Sequence, residues 1–373
     1  MEEKIKRLKK WAEGEKTGPL SLEIWPTNRC NLHCIMCGTW ASRRKAEEKG
    51  IIYDPKEEMK RELPDEVWLK IVNEAFKLDI KEFLITGGGE PLMRKELTLK
   101  IMEKIKENEG YGTLNTNGTL ITSQDIQKII SIGWDMVIFS IDGPDKNTHD
   151  FIRGVNGTFE KVKKVLFEFK KQKEKLKTEK PKVVFNTVVL SKNFEKLCKL
   201  VEFASSVDCE SITFIPLIAF DNTVKKYKLN LIQRLRFNRK INEIESLASK
   251  LGVHTNIREL KEKQIRDTEK MDKLVMEKIK SFSRGFKSLP CFEPFLHLLI
   301  TPEGRATCCC MLAGKGIKGN FAVRNLKDVW FGEWFSKLRE QFLNRKIPKD
   351  CGTCVFSQFV RNEKLREELN KIL

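Results

Sequence analysis

Six apolar runs of strand length, at 21–25, 82–86, 112–116, 134–141, 182–190 and 211–215, alternate with amphipathic segments long enough to be helices. Strands with intervening helices imply a parallel sheet, and right-handed crossovers curve such a sheet into a barrel or part of one. The helices read near 65–79, 94–108, 123–132, 157–177, 193–206 and 230–250, with Pro64-Asp65 and Thr122-Ser123 as helix starts. The expected class is therefore α/β, a partial (β/α)6 barrel, followed beyond Pro290 by a region of short strands, turns and cysteines.

In such a barrel, function sits on the loops at the C-terminal ends of the strands. The first strand is followed by Cys30-Asn31-Leu32-His33-Cys34-Ile35-Met36-Cys37, three cysteines spaced C-x-x-x-C-x-x-C. Three thiolates so close together ask for a metal, and either recruit a distant fourth ligand or leave one metal position open. After the second strand comes Gly87-Gly88-Gly89-Glu90-Pro91. Glycines there let the backbone approach a ligand and take positive φ, while Glu90 places a carboxylate suited to a positively charged amine. After the third comes Thr116-Asn117-Gly118, a turn sequence on the same rim. After the fourth, Ser140 and Asp142 alternate along the strand end, so a hydroxyl and a carboxylate share one face and suit the hydroxyls of a ribose, although Asp142-Gly143-Pro144 also reads as a turn.

The chain is long enough, at 373 residues, for one large domain of about 200 to 250 residues plus a smaller one. No apolar run approaches the roughly 20 residues of a membrane span, and the charged start reads as cytoplasmic, not as a signal peptide. Cysteines in a reducing compartment favour metal ligation over disulfides. All but Cys198 and Cys209, which read as core thiols, fall within 30–37, 291–310 and 351–354. The net charge of +18 invites nucleic acid, but most of the excess is lysine mixed with glutamate along helices such as 161–180 and 259–280, the pattern of solvated helix faces. Segment 38–64, rich in Lys, Arg and Glu, is a long connection, by composition a solvated excursion and by location a lid. In the last region Cys291, the run Cys308-Cys309-Cys310 and the pair Cys351 and Cys354 come from distant segments that can converge on one fully ligated cluster, which passes electrons without binding substrate.

Taken together, these motifs resemble those of a radical S-adenosylmethionine (SAM) enzyme with a C-terminal auxiliary-cluster domain of the SPASM/Twitch kind. The resemblance implies that Cys30, Cys34 and Cys37 hold a [4Fe–4S] cluster whose fourth iron chelates SAM. It implies that Gly88, Gly89 and Glu90 meet the methionyl amine and that Ser140 and Asp142 meet the ribose. It also implies that Arg153, in His149-Asp150-Phe151-Ile152-Arg153-Gly154, meets the carboxylate, that Asn117 lines the rim, and that Met36 packs near adenine. The backbone of 186–189 would face adenine as well. The spacing C-x12-G-x4-C, with Gly304, selects Cys309 over Cys308 and Cys310, whose side chains would point the other way along a strand. With no cysteine after Cys354, one auxiliary [4Fe–4S] cluster is implied. Leu326-Lys327-Asp328-Val329-Trp330 is implied to pack, and none of His149, His254 and His297 stands out as a general base.

The domains expected are an N-terminal helical extension over 1–20, the barrel over 21–250, a bridge over 251–289 and an auxiliary-cluster α+β domain over 290–373. The function implied is hydrogen abstraction from a substrate C–H bond by a 5′-deoxyadenosyl radical. The auxiliary cluster would accept one electron from the substrate radical, giving a net two-electron, dehydrogenase-like oxidation. An external one-electron donor of the ferredoxin or flavodoxin type is implied. A carbohydrate, cyclitol or other small molecule is preferred to a peptide, because 1–20 is too short for a peptide-recognition domain. The competing readings are a peptide or protein maturase, an RNA-modifying enzyme of the same family, and a non-enzymatic iron–sulfur or zinc protein in which His33 supplies a fourth ligand.

Overall fold

Burial along several strands follows the two-residue period that the apolar runs encode. In β1 (Ser21–Ile24), Leu22 and Ile24 are buried while Ser21 and Glu23 are half-buried, and β3 (Tyr111–Thr116) and β4 (Met136–Ser140) repeat the pattern. With β2 (Glu82–Ile85), β5 (Lys182–Val189) and β6 (Ser211–Pro216), these strands pair in parallel in sequence order. The computed structural model describes residues 1–50, 52–219, 221–263, 286, 289–346, 348–354 and 356–372. The intervening helices Asp65–Lys77, Lys95–Glu107, Ser123–Ser131, Thr158–Leu176, Leu197–Ser206 and Leu231–Lys250 bury one face each against the sheet. The helix start at Thr122 is a full capping box with Asp125. No helix among the described residues is long and apolar enough to cross a membrane.

Among the described residues the six strands are joined by β7 (His254–Thr255), β8 (His297–Ile300), β9 (Arg305–Thr307) and β10 (Ile317–Lys318) in one sheet of ten, in the order β10-β9-β8-β1-β2-β3-β4-β5-β6-β7. Its two ends do not meet, so the barrel is open. Within the expected bridge over 251–289, β7 (His254–Thr255) adds a further strand parallel to β6. The charged helix expected over 259–280 begins as Ile257–Lys263; the rest of it lies outside the described residues. The C-terminal region is not a separate layer. Its first strand, β8 (His297–Ile300), runs parallel to β1 from Ser21↔His297 to Ile24↔Ile300. Without β8, β1 would present a row of unpaired N–H and C=O groups. Leu298, Leu299 and Ile300, a continuous apolar run, are all buried, as a strand covered on both faces requires. From β8 the chain turns back into β9 (Arg305–Thr307) and β10 (Ile317–Lys318), both antiparallel.

Segment 38–64 is neither a free excursion nor an open connection. It forms two helices, Gly38–Glu47 and Pro55–Arg61, the second started by an Asp54 side-chain cap and proline at its first position. Arg29 pairs with both oxygens of Glu62 at 3.0 Å, Arg44 pairs with Asp221 at 2.7 Å, and the Leu63 amide donates to the Pro302 carbonyl at 2.7 Å. The N-terminal helix Glu2–Ala12 lies against the C-terminal region, with Trp11 edge-on to Phe295 at 5.4 Å. Leu326, Val329 and Trp330 are buried, as their motif implies; of the two lone cysteines Cys209 is buried but Cys198 only half so.

At the opposite end of the strands from the loops described below, Asp135 accepts from Lys106 and Lys180 Nζ at 2.6 Å each and from the Gly112 amide at 2.9 Å. Burial alone would push its carboxyl up, but these donors outweigh it and hold the group below the ordinary carboxylate range. Asp135→Asn is expected to cost about 3 kcal/mol in urea denaturation at pH 7. Because the folded value is depressed, that contribution is complete above about pH 3.9 and shrinks as pH falls through the folded value. Wild type and variant should therefore converge in strongly acidic solution, and a constant difference down to pH 2 would contradict the assignment.

Candidate functional site

The loops after β1, β2, β3 and β4 meet around a cleft of about 280 Å³. Cys30, Cys34 and Cys37 line one wall, and Glu90, Asn117, Ser140 and Arg153 line the rest. The cysteine loop is anchored from behind by the helix Lys146–Arg153, whose last carbonyls at Ile152 and Arg153 accept from the Ile35 and His33 amides at 3.0 and 3.1 Å. Gly154 ends that helix at φ +72°, and a Cβ there would stand 2.3 Å from the His33 carbonyl oxygen. Only glycine allows both the left-handed cap and the close passage.

Gly87, Gly88 and Gly89 line the cleft, and the turn also packs against the cysteine loop. None of Gly87, Gly88 and Gly89 has positive φ, and their missing side chains make room for protein. A Cβ on Gly89 would lie 2.1 Å from the Arg29 carbonyl oxygen, and one on Gly88 2.3 Å from Asn28 Oδ1. The Gly89 and Glu90 amides donate to the Thr27 and Arg29 carbonyls at 3.2 and 2.9 Å. The close approach is thus between two loops of the chain, and it fixes Glu90 beside the cysteines.

Glu90 is 3% exposed. Its Oε1 accepts from Thr116 Oγ1 at 2.6 Å and the Leu92 amide at 3.2 Å, and its Oε2 from the Asn117 amide at 2.7 Å. Burial pushes its carboxyl up, and these donors pull against that. Asn117 serves the turn: its Oδ1 accepts from Thr119, and its Nδ2 donates to Asn31 Oδ1 in the cysteine loop at 2.9 Å. Ser140 lines the cleft, and its hydroxyl has no protein partner among the described residues.

Asp142 does not share that face. β4 ends at Ser140, so strand alternation stops there, and Asp142 is fully buried outside the cleft lining. Its Oδ2 lies 2.7 Å from Arg153 Nη2 in an ion pair, and its Oδ1 accepts from the Val188 amide at 2.8 Å. That bond occupies the Val188 amide, while Val188 itself lines the cleft. Arg153 Nη1 stands 3.7 Å from Cys34 Sγ, while its Nε is buried with no partner, a donor left over beside the cleft. His149 accepts from the Asp142 amide; burial, then the nearby Arg153 charge, push it down to about 3, so it is a neutral structural acceptor.

Burial pushes Cys30 up to about 12 and Cys34 to about 11, so these thiols keep their protons until a metal displaces them. Among the described residues no three His, Cys, Asp or Glu side chains converge on a point for a single ion. Three thiols lining one cleft with an orphaned arginine donor and a carboxylate fit a multi-iron cluster holding a charged ligand. The His33 ring is stacked edge-on to Trp40 at 4.4 Å. Met36 lines the cleft, together with Thr39 and Trp40, which sequence reading missed. Thr39 donates to the Gly88 carbonyl at 2.6 Å and Trp40 to the Leu32 carbonyl at 2.7 Å. The only signal for them was position, directly after the last cysteine.

In the C-terminal region Cys309 is the common neighbour: its charge acts on Cys291, Cys351 and Cys354. Strand alternation does not separate it from its neighbours, because β9 ends at Thr307 and a 3-10 turn starts at Cys310. What separates them is bonding: the Cys308 thiol, fully buried, donates to Cys309 and pulls it down, and the Leu312 and Met311 amides add to this. Asn362 Nδ2 stands 3.9 Å from Cys291 Sγ.

Comparison with known proteins follows the same division. The radical SAM superfamily matches residues 24–204 and the SPASM iron–sulfur cluster-binding domain matches 291–355. A tungsten-containing aldehyde ferredoxin oxidoreductase cofactor-modifying protein of Pyrococcus furiosus is 25% identical over 87% of this chain and 84% of its own length. A PqqA peptide cyclase of Granulibacter bethesdensis is 26% identical over 51% of this chain and 45% of its own. Among solved structures, Streptococcus suis SuiB superimposes with a TM-score of 0.64 at 17% identity, covering 94% of this chain and 75% of SuiB. Native anSMEcpe with bound AdoMet and Cp18Cys peptide superimposes with a TM-score of 0.59 at 20% identity, covering 95% and 100%. Both share the fold.

Proposed function

This chain belongs to the radical SAM superfamily and carries a SPASM iron–sulfur domain, and we propose that it oxidises a C–H bond of a small organic substrate by two electrons. The observation that carries the reading is the convergence of Cys30, Cys34 and Cys37 with Glu90 and the orphaned Arg153 donor on one cleft. Cys30, Cys34 and Cys37 would hold the [4Fe–4S] cluster, which with SAM supplies a 5′-deoxyadenosyl radical on one-electron reduction. Glu90, held rigid by three donors, offers its remaining lone pairs to the methionyl ammonium. Arg153 donates to the carboxylate, and Asp142 acts through Arg153 by fixing its plane and charge. Ser140 offers its hydroxyl to the ribose, and Met36 a soft apolar surface to adenine.

Cys291, Cys309, Cys351 and Cys354 would hold an auxiliary [4Fe–4S] cluster, which supplies an electron acceptor. The relative that matches along most of both chains is named for modifying a cofactor, which supports a small-molecule substrate, a carbohydrate or cyclitol being the class argued from the single auxiliary cluster. The electron that starts each turnover comes from an external carrier. Anaerobic reconstitution followed by dithionite should yield 5′-deoxyadenosine from SAM, and a panel of sugars, cyclitols and peptides should raise its yield only with a small molecule. Zinc without iron would sink the reading, and stimulation by peptides alone would reverse the substrate order.

A further inference from the structure

Along most helices of this chain lysine alternates with glutamate, but residues 222–242 hold seven Lys and Arg and no Asp or Glu. The same stretch leaves Leu231, Ile232 and Leu235 72%, 64% and 55% exposed. Leu231 and Leu235 are four apart and Ile232 and Leu235 three apart, so they sit together on one face. The helix buries Phe237, Ile241 and Ile244, so the exposed leucines are not part of its core-facing stripe. Phe151, also exposed, stands edge-on to Tyr227 at 6.1 Å, with Lys192 Nζ 5.4 Å from the Phe151 ring centre. Lys225 and Lys226 are exposed and have no carboxylate partner among the described residues.

The location gives this face its meaning. Phe151 immediately precedes Ile152 and Arg153, whose carbonyls hold the cysteine loop, and Arg153 reaches Cys34. Asp221, at the head of the basic stretch, pairs with Arg44 on the helix that begins directly after Cys37. The patch therefore borders the cysteine loop from two sides.

We propose that the face formed by Phe151, Tyr227, Leu231, Ile232 and Leu235, rimmed by Lys192, Lys225 and Lys226, docks an acidic one-electron carrier protein. The proposal rests on the radical SAM reading above and assigns a surface to the carrier it requires. The step is a single electron transfer: the carrier is oxidised by one electron, the cluster at Cys30, Cys34 and Cys37 is reduced by one, and no bond forms or breaks. An apolar centre within a charged rim is the anatomy of a protein interface. Exposed leucine and isoleucine offer nothing to a phosphate backbone or to stacked bases. An unbalanced basic rim steers an acidic partner and raises its association rate in a salt-dependent way.

The test uses reconstituted holoenzyme and a purified, reduced, acidic ferredoxin, with electron transfer followed by stopped-flow absorbance and binding by calorimetry. Lys225→Glu/Lys226→Glu should lower the second-order rate about 10- to 100-fold at low salt and flatten its salt dependence. Leu231→Ser/Leu235→Ser should weaken binding about tenfold while keeping the salt slope. Both variants should match wild type in dithionite-driven deoxyadenosine formation. Ferredoxin rates and binding unchanged in both variants would overturn the surface. So would loss of binding to transfer RNA or to phosphatidylserine vesicles with the ferredoxin rate intact. Failure of wild type to cleave SAM with dithionite would overturn the underlying reading instead.

Discussion

Gly89→Ala is expected to lower deoxyadenosine formation by at least about 100-fold, together with a fall in the iron bound after anaerobic reconstitution. The added carbon would meet the Arg29 carbonyl oxygen at 2.1 Å, Asn28 C at 2.5 Å and Arg29 C at 2.7 Å. All three are main-chain atoms, so no rotamer change can relieve the clash, and the turn must separate from the cysteine loop. Separation breaks the rungs from Gly89 to Thr27 and from Glu90 to Arg29, and these set the distance between the carboxylate and the thiols. A displacement of about 1 Å in a positioning contact is enough for a loss of this size. Gly314→Ala is the control, because a Cβ there meets nothing within 4 Å; it should change neither iron content nor activity. Wild-type iron and activity in Gly89→Ala would show that the two loops are not coupled.

Asp142→Asn should produce the second large effect, on stability as well as on SAM binding. Asp142 is wholly buried, and Arg153, 8% exposed, makes no other carboxylate ion pair among the described residues. Removing one charge of a buried pair strands the other, at a cost of about 3–5 kcal/mol. The Val188 amide can still donate to the asparagine oxygen, so the loss is electrostatic. Freed from its partner, the guanidinium loses its fixed plane, and the SAM dissociation constant should rise about 10- to 100-fold. Adding Arg153→Met to Asp142→Asn should recover much of the stability and none of the SAM affinity, a combination that separates charge balance from ligand contact. Chemical denaturation and equilibrium dialysis read the two effects independently; a single variant as stable as wild type would refute the pairing.

What could be read from sequence was what is local in it. The six parallel strands and their helices follow from periodicities that each segment carries by itself, and the cysteine spacing is likewise a local signal. Contacts between distant segments were not legible. Nothing near 297–300 marks it as the neighbour of 21–24, since an apolar triplet suits any covered strand. The two helices in 38–64 were hidden by a charged composition, and only the second carries a start signal, Asp54 and Pro55. Asp142 looked like a ligand because strand alternation was carried two residues too far, past the point where the chain leaves the sheet. The glycines do line the cleft, but sequence shows the missing side chain and not that a second loop of the chain packs into part of its place. Cys309 was singled out by a spacing, and in the folded chain both it and Cys310 act on Cys354.

The pairing of β1 with β8 also constrains how the protein is made. Ser21 and His297 are hydrogen-bonded across a separation of 276 residues. During synthesis, β2 to β6 can assemble from the N-terminal side while one edge of β1 waits for the last quarter of the chain. Until then the strand that leads into Cys30 is half-paired, an aggregation-prone edge and a slow, long-range closure. Cluster insertion at Cys30, Cys34 and Cys37 before that closure would meet a loop whose parent strand is not yet fixed, so the order of events in the cell is set by the far end of the chain.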